Sequence, residues 1–158
     1  MSPLRIAIAG IGNVGQEVID QLLKSSSYDK KFVIGGISYK NKKKKRNIDL
    51  SNFNFYKNPV DLAYDDNIHL VIELIGGEDG VAKDLSLACV KNKKPFITAN
   101  KALIAKYGDQ LSKIAEENNV NLEFEAAVCG GVPIIRSLKE GLIANKINTF
   151  NMNIVVNK

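Results

Sequence analysis

The 158-residue chain is 45% hydrophobic and 25% charged, the balance of a globular domain with room for a core and not that of a disordered or fibrous chain. No apolar run approaches the roughly 20 residues that cross a bilayer and the N-terminus carries no signal-peptide pattern, so no membrane partner is expected and the expected location is cytoplasmic. The net charge of +5 is concentrated in one place: Lys40, Lys42, Lys43, Lys44, Lys45 and Arg46 together outweigh it, leaving the rest of the chain slightly acidic. No aromatic or helical reading motif accompanies this run, so no nucleic-acid partner is expected; it reads as a solvated loop or as the seat of an extra phosphate.

In chain order, residues 4–9 are an apolar run that reads as a buried strand, and Gly10-Ile11-Gly12-Asn13-Val14-Gly15 follows it directly. A Gly-x-Gly-x-x-Gly loop placed there turns tightly at its first glycine, admits a pyrophosphate at its second and packs the next helix closely at its third. That helix, over residues 14–24, aims its free N–H groups at the phosphates; the alternative is a tight structural turn. Residues 32–38 read as a second strand, and a short helix starts near Pro59 with Asn58 as its N-cap. The nearly continuous apolar run 69–75 is the pattern of a parallel strand covered on both faces, ended by Gly76-Gly77. A helix over 81–91, a strand at 95–99, a helix over 101–118 interrupted near Gly108, a strand at 121–127 and a helix over 132–144 follow.

This alternation gives an α/β fold, a Rossmann-type doubly wound parallel sheet, over residues 1–147. Residues 148–158 depart from it. Phe150, Met152 and Ile154 alternate with asparagines, as in a strand with one wet face that has no partner in the chain. The segment is expected to join a sheet edge or to open a second, substrate or dimerisation domain.

In a dinucleotide fold an acidic residue about 20 positions past the glycine loop usually holds a ribose 2′-hydroxyl, whereas a basic group accommodates a 2′-phosphate. Here Ser38-Tyr39-Lys40 ends the second strand and no carboxylate appears before Asp49, which favours NADP(H) over NAD(H). Lys40 is the expected phosphate partner, while Lys43 to Arg46 are expected to be a solvated loop. Thr98-Ala99-Asn100-Lys101 stands at the carboxyl end of a strand, the edge where open α/β sheets bind ligands. A lysine in a first helical turn opposes the helix dipole, which favours a role for Lys101 in the crevice. Gly76 occupies the same edge and either lets backbone approach the cofactor or turns the chain. Lone His69 reads as a hydrogen-bonded structural residue, and Cys89 and Cys129, with no metal-ligand spacing, read as neither a disulfide nor nucleophiles.

Four segments in register, Gly10-x-Gly12-Asn13-Val14-Gly15, Val71-Ile72-Glu73-Leu74-Ile75-Gly76-Gly77, Thr98-Ala99-Asn100-Lys101-Ala102-Leu103 and Glu125-Ala126-Ala127-Val128-x-Gly130-Gly131-Val132-Pro133-Ile134-Ile135, resemble the nucleotide-binding domain of homoserine dehydrogenase. The resemblance implies NAD(P)-dependent interconversion of aspartate 4-semialdehyde and homoserine, on the route to threonine, methionine and isoleucine. It also implies a small-molecule substrate and a homodimer in the complete enzyme. Motif and resemblance together give Gly10, Ile11, Gly12, Asn13, Val14, Gly15, Lys40, Gly76, Thr98 and Lys101 as cofactor-binding candidates, with Lys101 also catalytic. The resemblance alone implies that backbone carbonyls of Glu125, Val128, Gly130 and Val132 ring a sodium ion. Two departures stand out: Tyr39-Lys40 replaces an Arg-Asp pair common in the family, and Asn151-Met152-Asn153 stands where the family continues into a Gly-Ile-x-Asn-Gly-Thr motif. A nucleotide-binding fragment of the enzyme, inactive alone, is the first expectation; a free-standing NAD(P)-sensing module is the alternative.

Overall fold

Five parallel strands frame the computed structural model, which describes residues 2–29, 31–41, 43–128, 130 and 132–141. In chain order they are β1 (Leu4–Ala9), β2 (Phe32–Ser38), β3 (Leu70–Glu73), β4 (Phe96–Thr98) and β5 (Leu122–Glu123). Helices α1 (Asn13–Asp29), α2 (Val81–Lys91) and α3 (Lys101–Glu117) connect them, with a 3-10 turn at Pro59–Ala63 and short helices α4 (Glu125–Val128) and α5 (Ile134–Arg136) at the end. The sheet order is β2-β1-β3-β4-β5. One further parallel bridge joins Ile37 of β2 to Phe55, which belongs to no named strand. Counted as a vestigial strand, it turns the order into the 3-2-1-4-5-6 of the dinucleotide fold. The chain order reverses between β1 and β3, so a crevice opens at their carboxyl ends.

The period-two alternation of β1 divides the core between the two faces of the sheet. Ala7 and Ala9 face one cluster with Val71 of β3 and Phe96 of β4, covered by Leu85 and Val90 of α2, Leu103 and Leu111 of α3 and Leu62 of the 3-10 turn. Ile6 and Ile8 face the other with Ile11, Ile19 and Ile37, under α1. Small residues on one side and β-branched ones on the other set how closely each helix layer approaches. The 3-10 turn starts as expected, with Asn58 Oδ1 accepting from Val60 N at 3.2 Å.

α1 runs five residues past its expected end at 24 and β3 is shorter than the expected 69–75; three further elements differ from the sequence expectation. The expected break at Gly108 is absent, and α3 is one helix of 17 residues. A mid-helix glycine costs only about 1 kcal/mol relative to alanine, which the buried stripe Leu103, Leu111 and Ala115 outweighs. The fifth strand is two residues long instead of 121–127, because β4 offers it only Phe96 and Ile97 as partners. Past it, Glu125, Ala126 and Ala127, good helix formers all, wind into α4. The helix expected over 132–144 is α5 followed by a π-type turn at Ser137–Gly141. The rest of that helix, and the strand expected in 148–158, lie outside the described residues. Among the described residues no helix is long and apolar enough to cross a membrane.

Candidate functional site

At the β1/β3 reversal the glycine loop is shaped by its neighbours. Gly10 has φ +99°, and a Cβ there would stand 2.5 Å from the backbone of Leu74. A Cβ on Gly15 would stand 2.1 Å from the carbonyl oxygen of Gly10, so this glycine lets α1 close onto the loop. Gly12 differs: a Cβ built on it meets nothing within 4 Å. Packing requires the first and third glycines, and the second faces open space. Asn13 and Val14, in the first turn of α1, are exposed, and no acidic residue there opposes an anion.

In front of the loop lies a cavity of ≈ 510 Å³, within the usual range of small-molecule sites. Gly10, Ile11 and Gly12 form its floor; Pro59, Leu74, Ile75 and Val81 give it an apolar wall. Ile75 and Val81 are 38% and 44% exposed, apolar surface that a planar ring would cover. The remaining wall is cationic, with Lys40, Lys44, Arg46 and Lys57 and no carboxylate among the lining residues. Lys40 and Lys57 also border a neighbouring cleft with Tyr39, Asn41, Lys43 and Phe55.

Arg46 corrects the expectation of a solvated loop. Its guanidinium lies 4.1 Å from the Tyr39 ring centroid and donates to three carbonyls: Nε to Ile11 at 3.1 Å, Nη1 to Lys44 at 3.0 Å and Nη2 to Asn41 at 2.9 Å. Asn47 N adds a bond to Gln16 Oε1 at 2.8 Å, and Gln16 Nε2 in turn reaches Gly12 O at 3.2 Å. The basic segment is thus fastened to the glycine loop and to α1, leaving Lys40, Lys43, Lys44 and Lys45 exposed. Arg46 is the one arginine of the run, a planar fork of donors among ammonium groups, but only the tertiary contact shows which carbonyls that fork holds.

At the ends of β3 and β4 the expected residues divide. Lys101 is exposed at the first position of α3, whose N-cap Asn100 accepts from Leu103 N at 3.1 Å. Gly76 is exposed beside Ile75, with φ +81°. Thr98, in contrast, is fully buried, and its hydroxyl is committed to Glu73 Oε2 at 2.6 Å and to Asn100 N at 3.0 Å. Its side chain reaches the crevice only through these partners. The loop beyond is tied to α3 at its tip, where Lys106 Nζ meets Glu78 at 3.0 Å and Asp79 at 2.6 Å and Tyr107 donates to Asp79. These bonds raise the Lys106 ammonium above its usual pKa and lower the Asp79 carboxyl below its own.

Of the expected ion ligands, Glu125 and Val128 lie in α4, Gly130 follows with φ +62°, and Val132 is 57% exposed. The Glu125 carboxylate accepts from Ile135 N at 3.0 Å and caps α5. Val132 O already accepts from Ile134 N at 2.8 Å. Among the described residues no cluster of His, Cys, Asp or Glu could hold a metal, so an ion here would rely on carbonyl oxygens. His69 accepts from Arg5 N at 3.0 Å and is exposed beside β3; Cys89 is buried in α2, and Cys129 lies outside the described residues.

Residues 10–125 match the family described as homoserine dehydrogenase, NAD binding domain. The chain belongs to that family. The homoserine dehydrogenase of Neisseria gonorrhoeae is 36% identical over 154 residues, which cover 94% of this chain and 35% of that protein. That of Bacillus subtilis is 35% identical, again over 93% of the chain and 35% of its own length. A homoserine dehydrogenase crystal structure from Thiobacillus denitrificans superposes with a TM-score of 0.74 at 34% identity, over 90% of this chain and 34% of the other. The chain therefore spans about a third of the length of these homoserine dehydrogenases, and the region it matches is the nicotinamide-cofactor domain.

Proposed function

We propose that the chain is the cofactor-binding part of an enzyme that interconverts aspartate 4-semialdehyde and homoserine, with NADP(H) preferred to NAD(H). The observation that carries the reading is the open space over Gly12, bounded by glycines that packing demands and by a wall of cations. The pyrophosphate belongs over Gly12 and the first turn of α1, where free N–H groups and the dipole favour negative charge. A base fits the apolar slot of Pro59, Leu74, Ile75 and Val81. Lys40, with Lys44 and Lys57 beside it, supplies the charge for a 2′-phosphate, while Arg46 is engaged with backbone. A bound nicotinamide supplies the hydride chemistry. Lys101, exposed and without an ion pair among the described residues, stabilises charge developing on the substrate oxygen and holds a proton there.

The carbonyls of Glu125, Val128, Gly130 and Val132 suit a hard cation such as sodium, each oxygen having a second lone pair to offer. Stabilisation by sodium beyond that by potassium, read from melting curves, checks this ligand set. The cofactor reading is tested by titrating NADPH and NADH into the wild type and Lys40→Glu. Tighter binding of NADPH that charge reversal abolishes is expected, with the gap narrowing in salt because these lysines are exposed. Equal affinities in the wild type refute the preference, and failure to bind either cofactor refutes the function.

A further inference from the structure

Glu73, the last residue of β3, is fully buried, and its carboxylate meets no Lys or Arg within the described residues. Its oxygens are satisfied instead by backbone and hydroxyl donors. Oε1 accepts from Ile75 N at 2.6 Å and Gly76 N at 3.2 Å, and Oε2 from Thr98 Oγ1 at 2.6 Å. Thr98 Oγ1 accepts from Asn100 N, and Asn100 Nδ2 donates to Gly77 O at 2.5 Å. The bonds close a circuit from β3 through the Gly76-Gly77 turn to the start of α3 and back through the end of β4.

Stability alone does not call for such a circuit, since replacing both partners of a buried hydrogen bond by apolar groups of the same shape can be nearly neutral. Its effect is geometric. Gly76 and Gly77 hold φ of +81° and +80°, with nothing within 4 Å of a built Cβ on either. Two consecutive glycines are the most pliable backbone a chain can offer. Glu73 grips the inward N–H groups of this turn and Asn100 its carbonyl, which leaves the outward face exposed but fixed. The same Asn100 caps the helix that starts with Lys101.

We infer that Glu73, Thr98 and Asn100 are positioning residues that hold the Gly76-Gly77 turn and Lys101 in register for the nicotinamide half of the dinucleotide. The inference rests on the proposed cofactor function. Preformed geometry on this side of the crevice spares the ordering that binding would otherwise require, so the clamp acts on the nicotinamide end and leaves the adenosine pocket alone.

The test compares NADPH, which spans both ends, with 2′,5′-ADP, which fills only the adenosine and phosphate end. The proteins are the wild type, Glu73→Gln, Thr98→Val and Thr98→Ser, each checked by circular dichroism. Glu73→Gln and Thr98→Val are expected to weaken NADPH at least tenfold and reduce its fluorescence enhancement while changing 2′,5′-ADP affinity less than twofold. Thr98→Ser, which keeps the hydroxyl, is expected to bind both like the wild type. If Glu73→Gln does not fold, the Thr98 pair decides. Equal losses for the two ligands, or NADPH binding unchanged in folded Thr98→Val, overturn the inference. Wild type that binds 2′,5′-ADP but not NADPH overturns it as well, whereas wild type that binds neither overturns the cofactor function on which it rests.

Discussion

Replacing the three loop glycines one at a time separates the packing role of the motif from its ligand role. In Gly15→Ala the added carbon would lie 2.1 Å from Gly10 O, a backbone atom that no rotamer change can move aside. Relieving it pushes α1 away by more than an ångström, and overpacking of this kind costs about 1–3 kcal/mol, or ~2–12 °C in melting temperature at this chain length. Gly12→Val meets no neighbour within 4 Å. Two smaller effects oppose each other there: a stiffer unfolded chain adds about 0.4–1 kcal/mol, and the loss of glycine at the helix N-cap removes a similar amount. Its melting temperature is therefore expected within about 4 °C of wild type. Binding follows the other order. The valine side chain of Gly12→Val fills the space over the loop, and a loss of at least 100-fold is expected, about 2.8 kcal/mol. Folded Gly15→Ala, studied well below its transition, retains measurable affinity. The chain contains no tryptophan, so NADPH fluorescence reports binding without indole background, and circular dichroism gives the melts. Wild-type affinity in Gly12→Val, or a wild-type melt for Gly15→Ala, refutes the reasoning.

Residues 1–158 by themselves are expected to bind cofactor without oxidising homoserine, because substrate positioning can supply about 7–11 kcal/mol of a barrier and Lys101 alone does not provide it. Joined to the remaining two-thirds of a relative, the same residues should turn over, and Lys101→Ala should then lower kcat/KM by about 10²–10³-fold with the fold intact; steady-state kinetics and a melt check both. Burial, then the hydrogen bond to Asp65, push the Tyr56 phenol up to about 12. A raised folded pKa means that its contribution to stability is complete below the ordinary tyrosine value near 10 and is lost as pH rises through about 12. Ultraviolet titration should show a late phenol step that Tyr56→Phe removes; no late step refutes the assignment. Burial likewise pushes the Cys89 thiol up to about 12, so in Cys129→Ser it should resist alkylation until the chain unfolds, and rapid labelling of native protein would contradict its placement in the core.

What the sequence made legible is what local pattern determines. β1, β2 and α2 fall within a residue or two of their expected limits, because an apolar run bounded by glycines or a helical stripe needs no distant partner to be read. The loop Gly10 to Gly15 and the edge position of Lys101 were legible for the same reason. Elements whose extent depends on a neighbour were not. The fifth strand ends where β4 stops offering partners, and the vestigial strand at Phe55 is a single bridge held by tertiary contact. The role of Arg46 depends on Ile11 O, 35 residues away, which no run of lysines announces. Glu73 did leave a trace, an acid at the end of an apolar strand just before Gly76-Gly77, but a trace of burial and not of its partners.

The three carbonyls gripped by Arg46 have a consequence for redesign of the pocket. The arginine fastens the wall with its hydrogen bonds and its contact with Tyr39, whereas the side chains of Lys40, Lys44 and Lys57 contribute exposed charge and make no hydrogen bond or ion pair among the described residues. Contour and electrostatic potential are thus assigned to different side chains. An engineer who wishes to exchange one nicotinamide cofactor for the other can recolour the wall through its lysines while the wall itself stays standing.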